Sequence, residues 1–113
     1  MRDETARDSA FQRVAALTEL REGRPHGCTL PDGRGVCVVR VGTDVFALED
    51  RCSHAEFPLS DGDMVDDLVI ECPLHGARFD LRSGTVLEAP ADEPVPTYEV
   101  RVSNGAVWVK IPS

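Results

Sequence analysis

The chain has 113 residues, 42% of them apolar and 28% charged, with eight prolines, nine glycines and six aromatics. That length fits one small turn-rich domain and excludes a two-domain enzyme, and so thin a core leaves room for a metal or cofactor to help hold the fold. A formal charge of −8 opposes binding to a phosphate backbone, and no apolar run, Val36-Cys37-Val38-Val39 included, approaches the ~20 residues of a membrane span.

Residues 1–9 carry no periodicity and are expected to form a frayed tail, with neither an apolar leader nor a twin arginine. A reducing cytoplasm is the expected setting for the four cysteines, as thiols or metal ligands. The domain is expected over 10–113. Val14 to Leu20 hints at a helical turn too short to stand alone. Short valine-rich runs then predict strands at Val36 to Val41, Val45 to Leu48, Leu68 to Glu71, Ala77 to Asp80, Tyr98 to Val102 and Ala106 to Ile111. Asp32-Gly33, Ser83-Gly84 and above all Asn104-Gly105 supply turns, the last suited to a type I′ hairpin. The expected class is all-β and mostly antiparallel. Between about 50 and 86 the strand rhythm breaks, as an insertion carrying a site would make it.

Inside that insertion lie two short clusters, Cys52-Ser53-His54 and Cys72-Pro73-Leu74-His75, seventeen residues apart. Each offers one thiolate and one imidazole, ligands that select zinc or iron-sulfur chemistry over calcium or magnesium. Structural zinc sites usually take both thiolates of a pair from one knuckle, which these mixed loops do not do. Two irons, one held by sulfur and one by nitrogen, suit them better, since loops from opposite sides can then clasp the pair. A zinc-stapled interaction module is the non-redox alternative.

The paired spacing resembles the signature of Rieske-type [2Fe-2S] proteins. Pro73, Gly76, Phe79 and Asp80 in the second loop, Leu59-Ser60-Asp61-Gly62 after the first, and Gly84 with Ala89-Pro90 extend the likeness across roughly residues 10 to 112. It implies a Rieske fold, an antiparallel β-sandwich base over about 10–49 and 87–112 with a small inserted cluster-binding subdomain. It also implies that Cys52 and Cys72 bind the inner iron, and His54 and His75 the outer one. Two cysteines that form a loop-bridging disulfide in high-potential members have no counterpart. Ala77 and Phe79 stand where those members carry a serine and a tyrosine that donate to sulfur. Both absences imply a potential toward the bottom of the Rieske range of roughly −150 to +300 mV.

One spare histidine, His26, is too few for a second, 2-His-1-carboxylate iron site, and Gly33-Arg34-Gly35 is no dinucleotide fingerprint. The chain is therefore read as an electron carrier and not an enzyme. Its closest likeness is to the ferredoxin component of bacterial aromatic-ring dioxygenases, which implies a flavoprotein reductase as donor and a terminal oxygenase as acceptor. The small subunit of an assimilatory nitrite reductase, or a ferredoxin linked to iron-sulfur assembly, is the alternative. Glu49, Asp50, Glu56, Asp61, Asp63, Asp66, Asp67 and Glu71, against Arg51 alone, give this stretch a net charge of −7, a field that would steer a basic partner. Phe57, Pro58 and Pro90 are expected to form an apolar collar. Cys28 and Cys37 are expected to be buried, inert thiols, Trp108 sheet packing, and His26 a surface residue in a turn.

Overall fold

The computed structural model describes residues 10–52, 58–73, 76–88 and 93–110; the expected tail lies outside them. Eleven strands are described: β1 Phe11–Ala16, β2 His26–Thr29, β3 Gly35–Val41, β4 Asp44–Glu49, β5 Asp63–Asp66, β6 Val69–Glu71, β7 Arg78–Asp80, β8 Val86–Glu88, β9 Thr97–Tyr98, β10 Val100–Ser103 and β11 Ala106–Lys110. They form three antiparallel sheets in the orders β1-β11-β10, β2-β3-β4-β9 and β5-β6-β7-β8. The all-β expectation holds: the described helices are two 3-10 turns, Leu17–Glu19 and Leu59–Asp61.

The β2-β3-β4-β9 sheet supplies side chains to two cores. Val36, Val38 and Ala47 point to one side, where Ala15, Leu20, Leu30, Val107 and Val109 complete a hydrocarbon core with the β1-β11-β10 sheet. Cys37, Val39 and Leu48 point to the other, where they meet Ile70, Phe79 and Leu81 of the third sheet and its turn. Both faces of β3 are covered, which is why its sequence is a continuous apolar run and not an alternation.

Three expectations need correction. Val14 to Ala16 belong to β1 and only Leu17–Glu19 turns helically; a register shift between Arg13 and Ala15 breaks the strand's alternation and gave it a helical look. Tyr98 to Val102 is not one strand. The chain changes sheets at Glu99, Thr97–Tyr98 pairing with β4 and Val100–Ser103 with β11. His26 sits half-buried on β2 opposite Val38 and not in a turn, on a strand whose Gly27 and Thr29 are exposed and whose sequence has little strand propensity.

The turn chemistry is as expected at the last hairpin. Asn104 and Gly105 adopt φ of 52° and 74°, the two positive values that a type I′ turn needs, and set the register Val102↔Val107 and Val100↔Val109. Trp108 lies half-buried on the central strand β11 between Arg13 and Arg101, and its buried indole N–H has no hydrogen-bond partner among the described residues. It packs on the sheet, as expected.

Candidate iron-sulfur site

Cys52 follows the end of β4 and Cys72 follows β6, so two different sheets deliver the two thiols. Both are completely buried, in the same apolar cluster as Leu59, Ala77 and Phe79. His54 and His75 lie outside the described residues, as do Phe57 and Pro90 of the expected collar. Pro58 is exposed and precedes the Leu59–Asp61 turn.

Local contacts fix the ends of the two loops that carry the thiols. The Cys72 N–H donates to the Ala77 carbonyl at 2.8 Å, closing the second loop across the mouth of the β6–β7 hairpin. The first loop closes at Asp50, whose carboxylate accepts from the Ser60 N–H at 2.7 Å and from the Ser60 hydroxyl at 2.6 Å. Gly62 then brings the returning chain against the strand that leads to Cys72. A methyl group at Gly62 would collide with the Glu71 carbonyl. Gly84 has the same role at the far end of the third sheet: its φ is +75°, it accepts from the Val95 N–H at 2.9 Å, and a side chain there would strike the Val95 carbonyl. These contacts give physical reasons for the Leu59-Ser60-Asp61-Gly62 and Gly84 matches, which the sequence shows only as likeness.

Within the acidic stretch Glu71 is paired with Arg78 at 2.9 Å, while Asp50 is hydrogen-bonded to the neutral Ser60. Asp61, Asp63, Asp66 and Asp67 remain exposed. Cys28, half-buried, lies away from the Cys52 and Cys72 thiols, whereas Cys37 is buried in their cluster. Cys28 contributes to the hydrocarbon core and Cys37 to the other, from opposite faces of the β2–β3 pair, so they are not placed for a disulfide. Burial, with Asp50 adding repulsion, pushes the Cys28 thiol up to about 11 and raises Cys37 further. Thiols so disfavoured as thiolates are poor nucleophiles and poor ligands, which agrees with the inert role expected of them.

Two completely buried thiols in one apolar cluster fit an iron-sulfur group, and comparison with known proteins assigns it. Residues 10–99 match the Rieske [2Fe-2S] domain. The chain belongs to the Rieske [2Fe-2S] family. It is similar to the 3-phenylpropionate/cinnamic acid dioxygenase ferredoxin subunit of Escherichia coli K12, 40% identical over 68% of this chain and 73% of that one. The ferredoxin of carbazole 1,9a-dioxygenase from Nocardioides aromaticivorans superposes on this Rieske chain with a TM-score of 0.86, at 41% identity over 92% of this chain and all of that one. A chain in a complex of reduced oxygenase and oxidized ferredoxin in carbazole 1,9a-dioxygenase gives a TM-score of 0.84 at 32% identity, covering 91% of this chain and 94% of that one. The Rieske chain is thus an electron-transfer component with a [2Fe-2S] cofactor and not itself an enzyme, which displaces the zinc-stapled alternative. Among its described residues no helix is long and apolar enough to cross a membrane.

Proposed function

We propose that this Rieske ferredoxin carries single electrons from an NAD(P)H-dependent flavoprotein reductase to the terminal oxygenase of a ring-hydroxylating system. Cys52 and Cys72 would hold one iron of the group, and His54 and His75 the other. When bound, the [2Fe-2S] group accepts and returns one electron. The protein's part is to hold the donors still and exclude water. Leu59, Ala77 and Phe79, all fully buried in the same cluster as the two thiols, keep that cluster dry. The observation that carries this reading is the complete burial of Cys52 and Cys72, twenty residues apart in the chain, in one apolar cluster of a chain that matches the Rieske domain.

The test is aerobic purification with iron and acid-labile sulfide analysis beside reduced-state EPR. Two irons and two sulfides per chain are expected, with loss of both in Cys52→Ser and in His75→Ala. A loaded, coloured protein without acid-labile sulfide would overturn the reading. Reconstitution then separates the partners: electrons should reach a ring-hydroxylating oxygenase, and delivery to a sirohaem nitrite reductase instead would move the chain to the other class.

Two finer expectations belong to the same reading. The potential lies low in the Rieske span, because the buried side chains of Ala77 and Phe79 bear no hydroxyl to stabilise the reduced state. A midpoint above about zero in protein-film voltammetry contradicts this. Encounter with a basic partner is steered by Asp61, Asp63, Asp66 and Asp67, so its rate should fall steeply as salt rises. The free thiols of Cys28 and Cys37 on opposite sheet faces suit a reducing cytoplasm.

A further inference from the structure

The first loop leaves the β2-β3-β4-β9 sheet after Asp50 and returns at Ser60, and one carboxylate holds both ends. Asp50 Oδ1 accepts from the Ser60 main-chain N–H and Oδ2 from the Ser60 hydroxyl, at 2.7 and 2.6 Å. The Asp50 N–H donates in turn to the Gly35 carbonyl at 3.0 Å, fixing the carboxylate's own backbone to the neighbouring strand. Two glycines make the seat. A Cβ at Gly27 would lie 2.7 Å from the Ser60 hydroxyl oxygen and 3.0 Å from Asp50 Oδ2, and one at Gly35 would lie 3.2 Å from the Asp50 Cβ.

This seat is mechanically joined to the thiols. Cys52 is two residues beyond Asp50, and Leu59, next to Ser60, is fully buried in the cluster that contains Cys52 and Cys72. Any release of Ser60 therefore loosens the loop that carries one thiol and a side chain of the cluster that holds both.

Resting on the carrier reading above, we propose that Asp50 is a positioning residue for the iron-sulfur ligands, its carboxylate clasping the two ends of the first loop through Ser60. Geometry and not negative charge is the working property. An asparagine in its place can accept from the Ser60 N–H through its oxygen and donate to the Ser60 hydroxyl through its amide, keeping both links. Alanine keeps neither.

The test compares the loaded parent protein with Asp50→Asn, Ser60→Ala and Asp50→Ala by two readouts, the rate of cluster loss to an iron chelator and the reduced-state EPR line shape. Loss should be about tenfold faster in Asp50→Ala, about threefold faster in Ser60→Ala, and within about twofold of the parent in Asp50→Asn. The EPR features should broaden in the same order. A parent-like Asp50→Ala overturns the clasp, and so does an Asp50→Asn that changes as far as Asp50→Ala, since charge would then be the cause. Should Asp50→Ala fail to fold, Ser60→Ala decides alone: a parent-like rate and line shape overturn the proposal, and the intermediate change supports it. A parent that binds no iron or sulfide refutes the carrier reading, whereas a loaded parent beside an indifferent Asp50→Ala refutes the clasp alone.

Discussion

The two faces of the β2-β3-β4-β9 sheet are built on different terms. On the side facing β11, Val36, Val38, Ala47, Val107 and Val109 interlock as hydrocarbon, and the core closes on itself. On the other side Cys37, Val39 and Leu48 meet Cys52, Leu59, Ile70, Cys72 and Phe79, and two of those side chains are the thiols proposed above as ligands. Short strands of three or four residues frame this second core, held by close backbone approaches at Gly62 and Gly84. The difference teaches that one sheet separates durability from chemistry. Its first face is closed by hydrocarbon burial, and its second is expected to draw part of its stability from the bound group.

The largest expected effect is removal of the iron-sulfur group, by chelation or by Cys72→Ser. Amide exchange at Ile70 and Phe79 should accelerate about a thousandfold, while Val107 and Val109 change far less. Equal acceleration at both cores would break the comparison.

Glycine substitutions sharpen it next. Gly84→Ala forces a methyl group against the Val95 carbonyl at φ +75° and should cost about 3 kcal/mol by denaturant titration. Gly42→Ala, at φ +64° with open space around it, should cost about 1 kcal/mol. Similar losses at the two positions would mean that backbone approach adds nothing to the second core.

A smaller change reads the chemistry of that core directly. Ala77→Ser offers a hydroxyl beside the thiols and should raise the midpoint potential by about 20–60 mV in voltammetry, the value of one ordinary hydrogen bond for a single electron. No shift, or a fall, would detach the low potential from the missing donor.

Asp80 gives the smallest effect. The Arg82 guanidinium, helped by the main-chain N–H groups of Arg82 and Ser83, holds its carboxyl below the usual carboxylate range against the opposing effect of burial. A lowered carboxyl pKa stabilises the fold above the unfolded value near ~4 and loses that contribution as pH falls through the folded value. Asp80→Ala should therefore cost about 0.5–1 kcal/mol at pH ~7, with the gap closing below pH ~4. A gap that persists in acid would assign the loss to packing.

Legibility followed the range of the interaction. The hairpin at Asn104-Gly105 could be read from two adjacent residues, because positive φ at both is a local demand. The thiols of Cys52 and Cys72 could be read from spacing and ligand type, and burial in one cluster agrees with that. The strand His26–Thr29 could not, since Gly27 is there to admit Ser60 and Asp50 and not to favour a strand. Asp50 was legible only as one more negative charge. Its partner is ten residues away, and nothing in the local pattern separates a clasp from a solvated carboxylate. Likewise, Tyr98 to Val102 has uniform strand character although Glu99 is where the chain crosses from one sheet to another.

The residue types and spacing by themselves determined the all-β class, the two Cys/His loops and the kind of group that such soft, mixed donors select, because propensity, turn chemistry and ligand softness belong to residues taken singly or a few at a time. Only the tertiary structure decided that β3 would be covered on both faces, that Cys28 and Cys37 would be kept apart, and that Asp50 would close a loop and not extend an acidic face. Those outcomes depend on which distant backbone arrives within a few ångströms, and that is settled by packing the sheets together.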